Sequence, residues 1–261
     1  MAIVRKMGRP DLFITFTCNP RWPEIVGELK NNEDPADRPD LVARVFRCKL
    51  NELKRDLFKN NHFGKVIAHI YVIEFQKRGL PHAHILCMLD GEDKIRDVSD
   101  IDLCVWAEIP DPESYPVSHS LVLKHMIHGP CGVRTPKCVC MKDEECSKKY
   151  PKDFVELTKE NQNGYHVYRR RKNGIVAVKG GIEIDNRDVV PYNPYLLLKY
   201  ETHVNVELCA SVISVKYLFK YVYKGFDKAC IEFVETLTDE KKMHYDETVA
   251  YASVRYLCKF T

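Results

Sequence analysis

The sequence has 261 residues, of which 45% are hydrophobic and 30% charged, with 40 basic and 37 acidic side chains and a formal net charge of +3. This is ordinary globular composition in a chain long enough to bury a large core, and it argues against global disorder. The apolar runs fall short of the ~18 residues of a membrane helix, the first residues lack the apolar core of a signal peptide, and so small a net charge does not identify a nucleic-acid partner.

The first third of the chain alternates between strand and helix signals. Short apolar and β-branched runs that end at turn residues indicate strands, and apolar residues at nearly helical spacing indicate helices. The predicted elements are a strand over 11–18, helices over 22–31 and 39–60, and a β-hairpin of strands 65–76 and 81–89.

The remainder of the chain is less regular. Its predicted elements are short helices over 99–108 and 118–127, a hairpin of 165–171 and 174–184 turned by Asn173-Gly174, a strand over 203–209, and helices over 211–224 and 245–259. An Asn-Gly pair is a strong signal for a tight hairpin turn. Antiparallel strands mixed with helices predict an α+β fold.

The second strand of the first predicted hairpin contains His82-Ala83-His84. Side chains two apart on a strand share a face and lie ~6.6 Å apart along it, so both imidazoles can approach one metal ion. On the preceding strand Glu74 or Gln76 could supply an oxygen ligand, which would leave open positions for water and phosphate around Mg²⁺ or Mn²⁺. The alternative is a pair of hydrogen-bonded histidines on a half-exposed strand.

The predicted helix over 211–224 carries two tyrosines four residues apart, Tyr217 and Tyr221, which therefore share one face. Lysines at every fourth position form a stripe beside them: Lys216, Lys220 and Lys224. Nearby ammonium groups favour the phenolate and so activate a tyrosine as a nucleophile, and they could also hold the phosphates of a DNA strand. Core aromatic residues at helical spacing would give the same pattern.

Eleven cysteines are present, and four of them lie within sixteen residues: Cys131, Cys138, Cys140 and Cys146. Together they can supply the four soft ligands of a tetrahedral zinc site, with His128 replacing one cysteine as a variant. The stretch 125–155 is then a zinc-binding insertion, and the alternative is a cluster of reduced thiols. The scattered cysteines fit small buried side chains in a reducing, intracellular compartment.

A basic run follows two tyrosines and a histidine in the second predicted hairpin. The run consists of Arg169, Arg170, Arg171 and Lys172. Cations for phosphates beside aromatic rings for bases are typical of single-strand binding. We therefore expect these residues to contact single-stranded DNA, with a merely solvated basic surface as the alternative.

Taken together, these segments resemble the HUH endonucleases, and among them the Rep nuclease domain of Helitron rolling-circle transposases. Residues 13–20 resemble the first motif of that family, 74–84 its metal-binding motif and 216–225 its two-tyrosine motif. Two further segments, 185–195 and 203–207, are also similar to stretches typical of the family. The motifs follow the family's order along nearly the whole chain.

The resemblance implies a single domain over 1–261 with an HUH/Rep-like, RRM-related architecture: a central antiparallel sheet, flanking helices and the Cys-rich insertion. It implies a metal-dependent endonuclease and strand transferase that cuts single-stranded DNA and forms a 5′-phosphotyrosine. Tyr217 and Tyr221 would be the nucleophiles beside Lys220. His82 and His84 would hold the metal, with Gln76 preferred over Glu74 as the third ligand.

The resemblance also bears on the cellular context. Helitron proteins carry a helicase, yet the sequence contains no GxxxxGK[ST] phosphate-binding motif, so we expect a fragment of a larger transposase-helicase. No membrane partner is expected, and the nucleus is the expected compartment. Two other functions stay open at this stage: a catalytically inactive module that binds single-stranded DNA, and a metal phosphodiesterase that uses an activated water.

Overall fold

The computed structural model describes residues 8–75, 79–132, 134–161, 165–209 and 229–232. Its helices are α1 (Pro23–Val26), α2 (Pro39–Phe58), α3 (Val98–Cys104), α4 (Pro116–His125) and α5 (Pro194–Tyr200). Its strands are β1 (Leu12–Thr17), β2 (Val66–Phe75), β3 (Pro81–Leu89), β4 (Met141–Lys142), β5 (Glu145–Cys146), β6 (Lys159–Glu160), β7 (His166–Val167), β8 (Ala177–Lys179), β9 (Ile182–Ile184), β10 (Val204–Leu208) and β11 (Ala229–Glu232). No helix within these ranges is both long and apolar enough to cross a bilayer.

The chain forms two compact units. The first contains the described residues before Ile95 together with Cys209 and β11, and the second is Ile95–Leu208. The Cys-rich stretch 125–155 lies within the second unit. The helices predicted over 211–224 and 245–259 lie outside the described residues.

Four antiparallel strands of the first unit pair in the order β1-β3-β2-β11. Ile14 lies opposite Ile85, and Ile70 lies between Leu86 and Ile231 in the register. The predicted strand over 11–18 and the hairpin of 65–76 and 81–89 are thereby confirmed. This sheet and its helices confirm the α+β class.

Helix α2 covers one face of that sheet. The rings of Phe16 and Phe46 stack with centroids 5.6 Å apart, and those of Phe58 and His69 stack at 3.8 Å. Leu53, on the same helix, is completely buried. The apolar stripe of the helix and the alternate apolar residues of the strands thus face one another, as their periods predict. The other face of the sheet carries the candidate site.

The second unit has a small apolar cluster and short paired strands. Its strands form the pairs β4–β5, β6–β7 and β8–β9. The buried apolar cluster comprises Ile109, Leu121, Val122, Met126, Val189, Tyr192 and Leu197. Tyr192 is fully buried, and its hydroxyl donates to the carbonyl of Glu108 at 3.0 Å.

The predicted hairpin around Asn173-Gly174 is wrong. Strand β8 pairs instead with β9 across Gly180 and Gly181, both of which have positive φ (59° and 79°). The backbone N–H of Arg171 donates to Glu108 Oε1 at 2.6 Å, and its carbonyl accepts from the Asn186 side chain at 2.7 Å. Side chains therefore satisfy the backbone groups that a hairpin ladder would have used.

Arg170, in the middle of the basic run, holds the second unit together from inside. Arg170 is only 3% exposed, and its Nη1 donates to the carbonyl oxygens of Ala107, Asn186 and Val189 at 3.2, 2.6 and 2.7 Å. Arg170 thus connects three backbone segments, and this burial argues against a contact with DNA. Its assignment to DNA binding stays a prediction.

The neighbouring arginines bind carboxylates. Arg171 Nη2 lies 2.7 Å from Glu108 Oε2, and Arg169 Nη1 lies 3.1 Å from Asp102 Oδ2. Burial acts to raise the pKa of Glu108, but the hydrogen bonds and charge of Arg171 outweigh it and hold that pKa below its usual range. The charges of Arg169 and Arg171 are thus largely balanced within the unit, although Arg171 is exposed to solvent, as is Lys172.

Replacing the buried guanidinium should destabilise the second unit. Arg170→Met keeps a long side chain but removes the charged donor that three carbonyl oxygens share, and we expect it to cost on the order of 3 kcal/mol of unfolding free energy. Chemical denaturation followed by circular dichroism measures this cost. Lys172→Ala is the matched control, with no expected change. Unaltered stability of Arg170→Met together with weaker DNA binding would instead support the predicted DNA contact of this residue.

Candidate active site

Three strands place five polar side chains on the sheet face opposite α2. In the register, Thr17 and Glu74 flank His82, and Thr15 lies opposite His84. Residues at paired positions project to the same face of an antiparallel sheet. The two histidines, two threonines and one carboxylate therefore share this side of the sheet, which we call the histidine face.

Each histidine is held by a threonine from β1. Thr15 Oγ1 and His84 Nδ1 lie 3.1 Å apart, and Thr17 Oγ1 and His82 Nδ1 also lie 3.1 Å apart. When each Nδ1–H donates to its threonine oxygen, Nε2 carries the lone pair of the imidazole. In that tautomer the hydrogen bond restrains each ring, and Nε2 is the nitrogen that could bind a metal ion.

Glu74 brings an oxygen to the same place. Glu74 is paired with His82 in the register, but its Oε2 lies 3.4 Å from His84 Nε2. The carboxylate therefore extends diagonally across the sheet toward the second histidine. Two neighbouring ligands, each ~2.1 Å from an octahedral Mg²⁺, are ~3 Å apart. The separation of these two atoms is thus close to that of two ligands of one ion. Gln76, the preferred third ligand, lies outside the described residues.

Burial sets the charge state of His84. His84 is 6% exposed, and burial lowers its pKa to about 4 even beside the Glu74 carboxylate, so the imidazole is neutral at pH 7. Neutral imidazole is the form that ligates metals. The ring of Phe13 stacks on His84 with centroids 5.9 Å apart and limits its rotation.

The predicted nucleophiles cannot be placed on this face. Tyr217, Tyr221 and Lys220 lie outside the described residues, as do Lys216 and Lys224. Their roles in attack and in DNA binding stay predictions.

A second group of candidate ligands lies in the other unit. The ligand atoms of His128, Cys131, Cys140 and Cys146 all lie within 4.8 Å of one another. This cluster could bind a metal such as zinc. Cys138 is not in the group, which corresponds to the variant in which His128 replaces one cysteine.

The sequence alone did not reveal the part played by the threonines. Thr15 and Thr17 are two residues apart on the predicted strand and therefore share one face. This spacing is the sequence signal that could have indicated their role. Assigning each hydroxyl to a particular histidine requires the register between β1 and β3, which the sequence does not specify.

The chain is similar to one protein family over its first third. Residues 1–87 match the family described as Helitron helicase-like domain at N-terminus. The matched segment contains all five residues of the histidine face and ends before the tyrosine pair. No curated protein matches the chain. Residues 1–87, one third of the chain, are therefore similar to Helitron helicase-like N-terminal domains.

Proposed function

We propose that the protein is a metal-dependent endonuclease and strand transferase that acts on single-stranded DNA in rolling-circle transposition. The family match supports the transposition-related role. The observation that carries the enzymatic proposal is the histidine face, where Glu74 Oε2 lies 3.4 Å from His84 Nε2 and both histidines are anchored through Nδ1.

The donor set of this face suits a divalent cation. His82 and His84 would supply imidazole nitrogens, and Glu74 or Gln76 an oxygen, which is a mixed set that Mg²⁺ or Mn²⁺ accepts while keeping open positions. When bound, the ion would polarise a backbone phosphate and balance its charge. Thr15 and Thr17 would keep the imidazoles in the required orientation.

The tyrosine pair would carry out the covalent step. The phenolic oxygen of Tyr217 or Tyr221 would attack phosphorus while the bond from phosphorus to the 3′ oxygen breaks. The phenol loses its proton and the departing 3′ oxygen gains one, so the products are a 3′-hydroxyl and a 5′-phosphotyrosine. Lys220 would favour the phenolate, and the second tyrosine would allow a second strand transfer while the first still holds a 5′ end.

The family name also supports wider proposals. A helicase region in the same full-length protein would unwind the DNA, and Lys216 and Lys224 would hold phosphates beside the tyrosines. A eukaryotic transposase of this kind would work in the nucleus.

Trapping the covalent intermediate tests the proposed reaction. With 3′-labelled single-stranded DNA and Mn²⁺, the protein should acquire label, because the tyrosine keeps the 5′ end of the downstream fragment. The double variant Tyr217→Phe, Tyr221→Phe should acquire none. His82→Ala should lower adduct formation on the order of 100-fold, since a metal supplies several kcal/mol of charge stabilisation. Denaturing gel electrophoresis measures the labelled protein.

Two other results of this experiment would overturn the proposal. Cleavage without labelled protein, unaffected by the tyrosine substitutions, would indicate a phosphodiesterase that uses activated water. Binding of DNA with neither cleavage nor adduct, over a range of single-stranded sequences, would indicate an inactive binding module.

The threonines provide a finer test of the histidine face. Thr17→Val removes the hydroxyl but keeps the branched shape, so His82 loses the partner of its Nδ1. We expect the concentration of Mn²⁺ needed for half-maximal cleavage to rise ~10-fold, with the rate at saturating Mn²⁺ nearly unchanged. Thr17→Ser, the matched control, should retain wild-type metal dependence. Equal losses in both variants would mean that packing, rather than the hydrogen bond, matters at this position.

A further inference from the structure

The cysteine cluster of the second unit is arranged as a closed tetrahedral site. Four ligands around zinc, with Zn–S of ~2.3 Å and Zn–N of ~2.0 Å, lie ~3.5–3.8 Å from one another. His128 Nε2 is 3.4 Å from Cys146 Sγ, and all four ligand atoms fall within 4.8 Å. We propose that His128, Cys131, Cys140 and Cys146 bind one structural Zn²⁺ and that Cys138 is not a ligand.

A short hairpin brings two of the cysteines together. Met141 of β4 pairs with Cys146 of β5, and the N–H of Ser147 donates to the carbonyl of Cys140 at 2.8 Å. The turn residues Asp143 and Glu144 both have positive φ (48° and 66°), which a two-residue hairpin turn of this kind requires. Cys140 and Cys146 are thereby held side by side without help from a metal.

A tight turn supplies the other two ligands. Gly129 has a φ of 94°, and a Cβ at this position would lie 2.6 Å from the backbone nitrogen of Cys131. Only glycine fits here, and the turn directs His128 and Cys131 toward the same point. The His128 ring also stacks on Tyr150 with centroids 4.2 Å apart, which restrains its rotation.

The surroundings of the cluster favour a structural ion. Cys131 is completely buried and Cys146 is 6% exposed. The N–H of Lys148 points to Cys146 Sγ at 3.4 Å, a contact that stabilises a metal-bound thiolate. Four protein ligands complete the coordination of zinc and leave no position for a substrate, as in structural rather than catalytic sites.

The cluster is connected to the turn around Asp188. The N–H of His128 donates to the carbonyl of Asp188 at 2.8 Å, and the carboxylate of Asp188 forms an ion pair with Arg134. The hydroxyl of Tyr150 also lies 3.5 Å from the carbonyl of Val189. Zinc would therefore fix the Cys-rich stretch against the buried part of the second unit, and its binding energy would contribute to folding.

Metal analysis of the full chain, compared with two single-cysteine variants, tests the assignment. We expect about one zinc per chain in the wild type and in Cys138→Ser, and at least a tenfold lower zinc content in Cys140→Ser after dialysis. Replacement by Co²⁺ should give a thiolate charge-transfer absorption of equal intensity in wild type and Cys138→Ser. Absence of zinc and of the cobalt spectrum would overturn the proposal, as would equal metal loss in the two variants.

A measurement on the wild-type protein tests the same assignment if Cys140→Ser does not fold. In the wild-type protein, alkylation followed by peptide mass spectrometry should modify Cys138 quickly and protect Cys131, Cys140 and Cys146 until a chelator is added. Chelation should also lower the melting temperature. Protection of Cys138 alongside the other three would show a different ligand set and refute the assignment. The result is independent of the nuclease proposal, because none of these readouts requires DNA.

Discussion

The register between β1, β3 and β2 is the constraint on which the histidine face depends. Side chains alternate between the two faces of a strand, so a slip of one residue would turn His82 and His84 toward α2. The opposite face prevents that slip, because Ile14, Phe16 and Ile85 are completely buried there. Apolar packing on one side of the sheet therefore determines which polar side chains meet on the other.

The second unit relies on a different kind of stabilisation. Its paired strands β4 to β9 are only two or three residues long, and ladders of that length bury little apolar surface. Charged and polar cross-links supplement the small apolar cluster. Arg170 connects three carbonyls, and Glu108 accepts hydrogen bonds from both the backbone and the guanidinium of Arg171. A bound zinc would add one more cross-link of this type.

The sequence predicted those features that arise from short-range periodicity. Alternation predicted the hairpin of 65–76 and 81–89 and the shared face of His82 and His84, and a helical period predicted α2. Periodicity failed to predict the structure where residues distant in the sequence determine it. Asn173-Gly174 had the composition of a hairpin turn, but Glu108 and Asn186, distant in sequence, bind the backbone of Arg171.

The absence of long-range information in local sequence patterns also limited what could be predicted for the charged and metal-binding residues. A run of arginines is identical in sequence whether it faces solvent or carboxylates, so the burial of Arg170 could not be predicted. Similarly, spacing alone could not choose between Cys138 and His128, because the choice depends on the turn at Gly129 and the hairpin of β4 and β5. The pairing of β11 with β2 had no comparable local signal in Ala229–Glu232.

The two candidate metal sites differ in donor chemistry and therefore in how firmly each would hold an ion. The histidine face offers imidazole and carboxylate on a partly exposed sheet surface, a set that suits a hard or borderline cation with exchangeable positions. The cysteine cluster offers three thiolates and one imidazole, which bind zinc far more strongly than Mg²⁺ or Mn²⁺. Zinc bound in the closed cluster would be retained through folding, whereas an ion held by fewer protein ligands on the histidine face would exchange more readily.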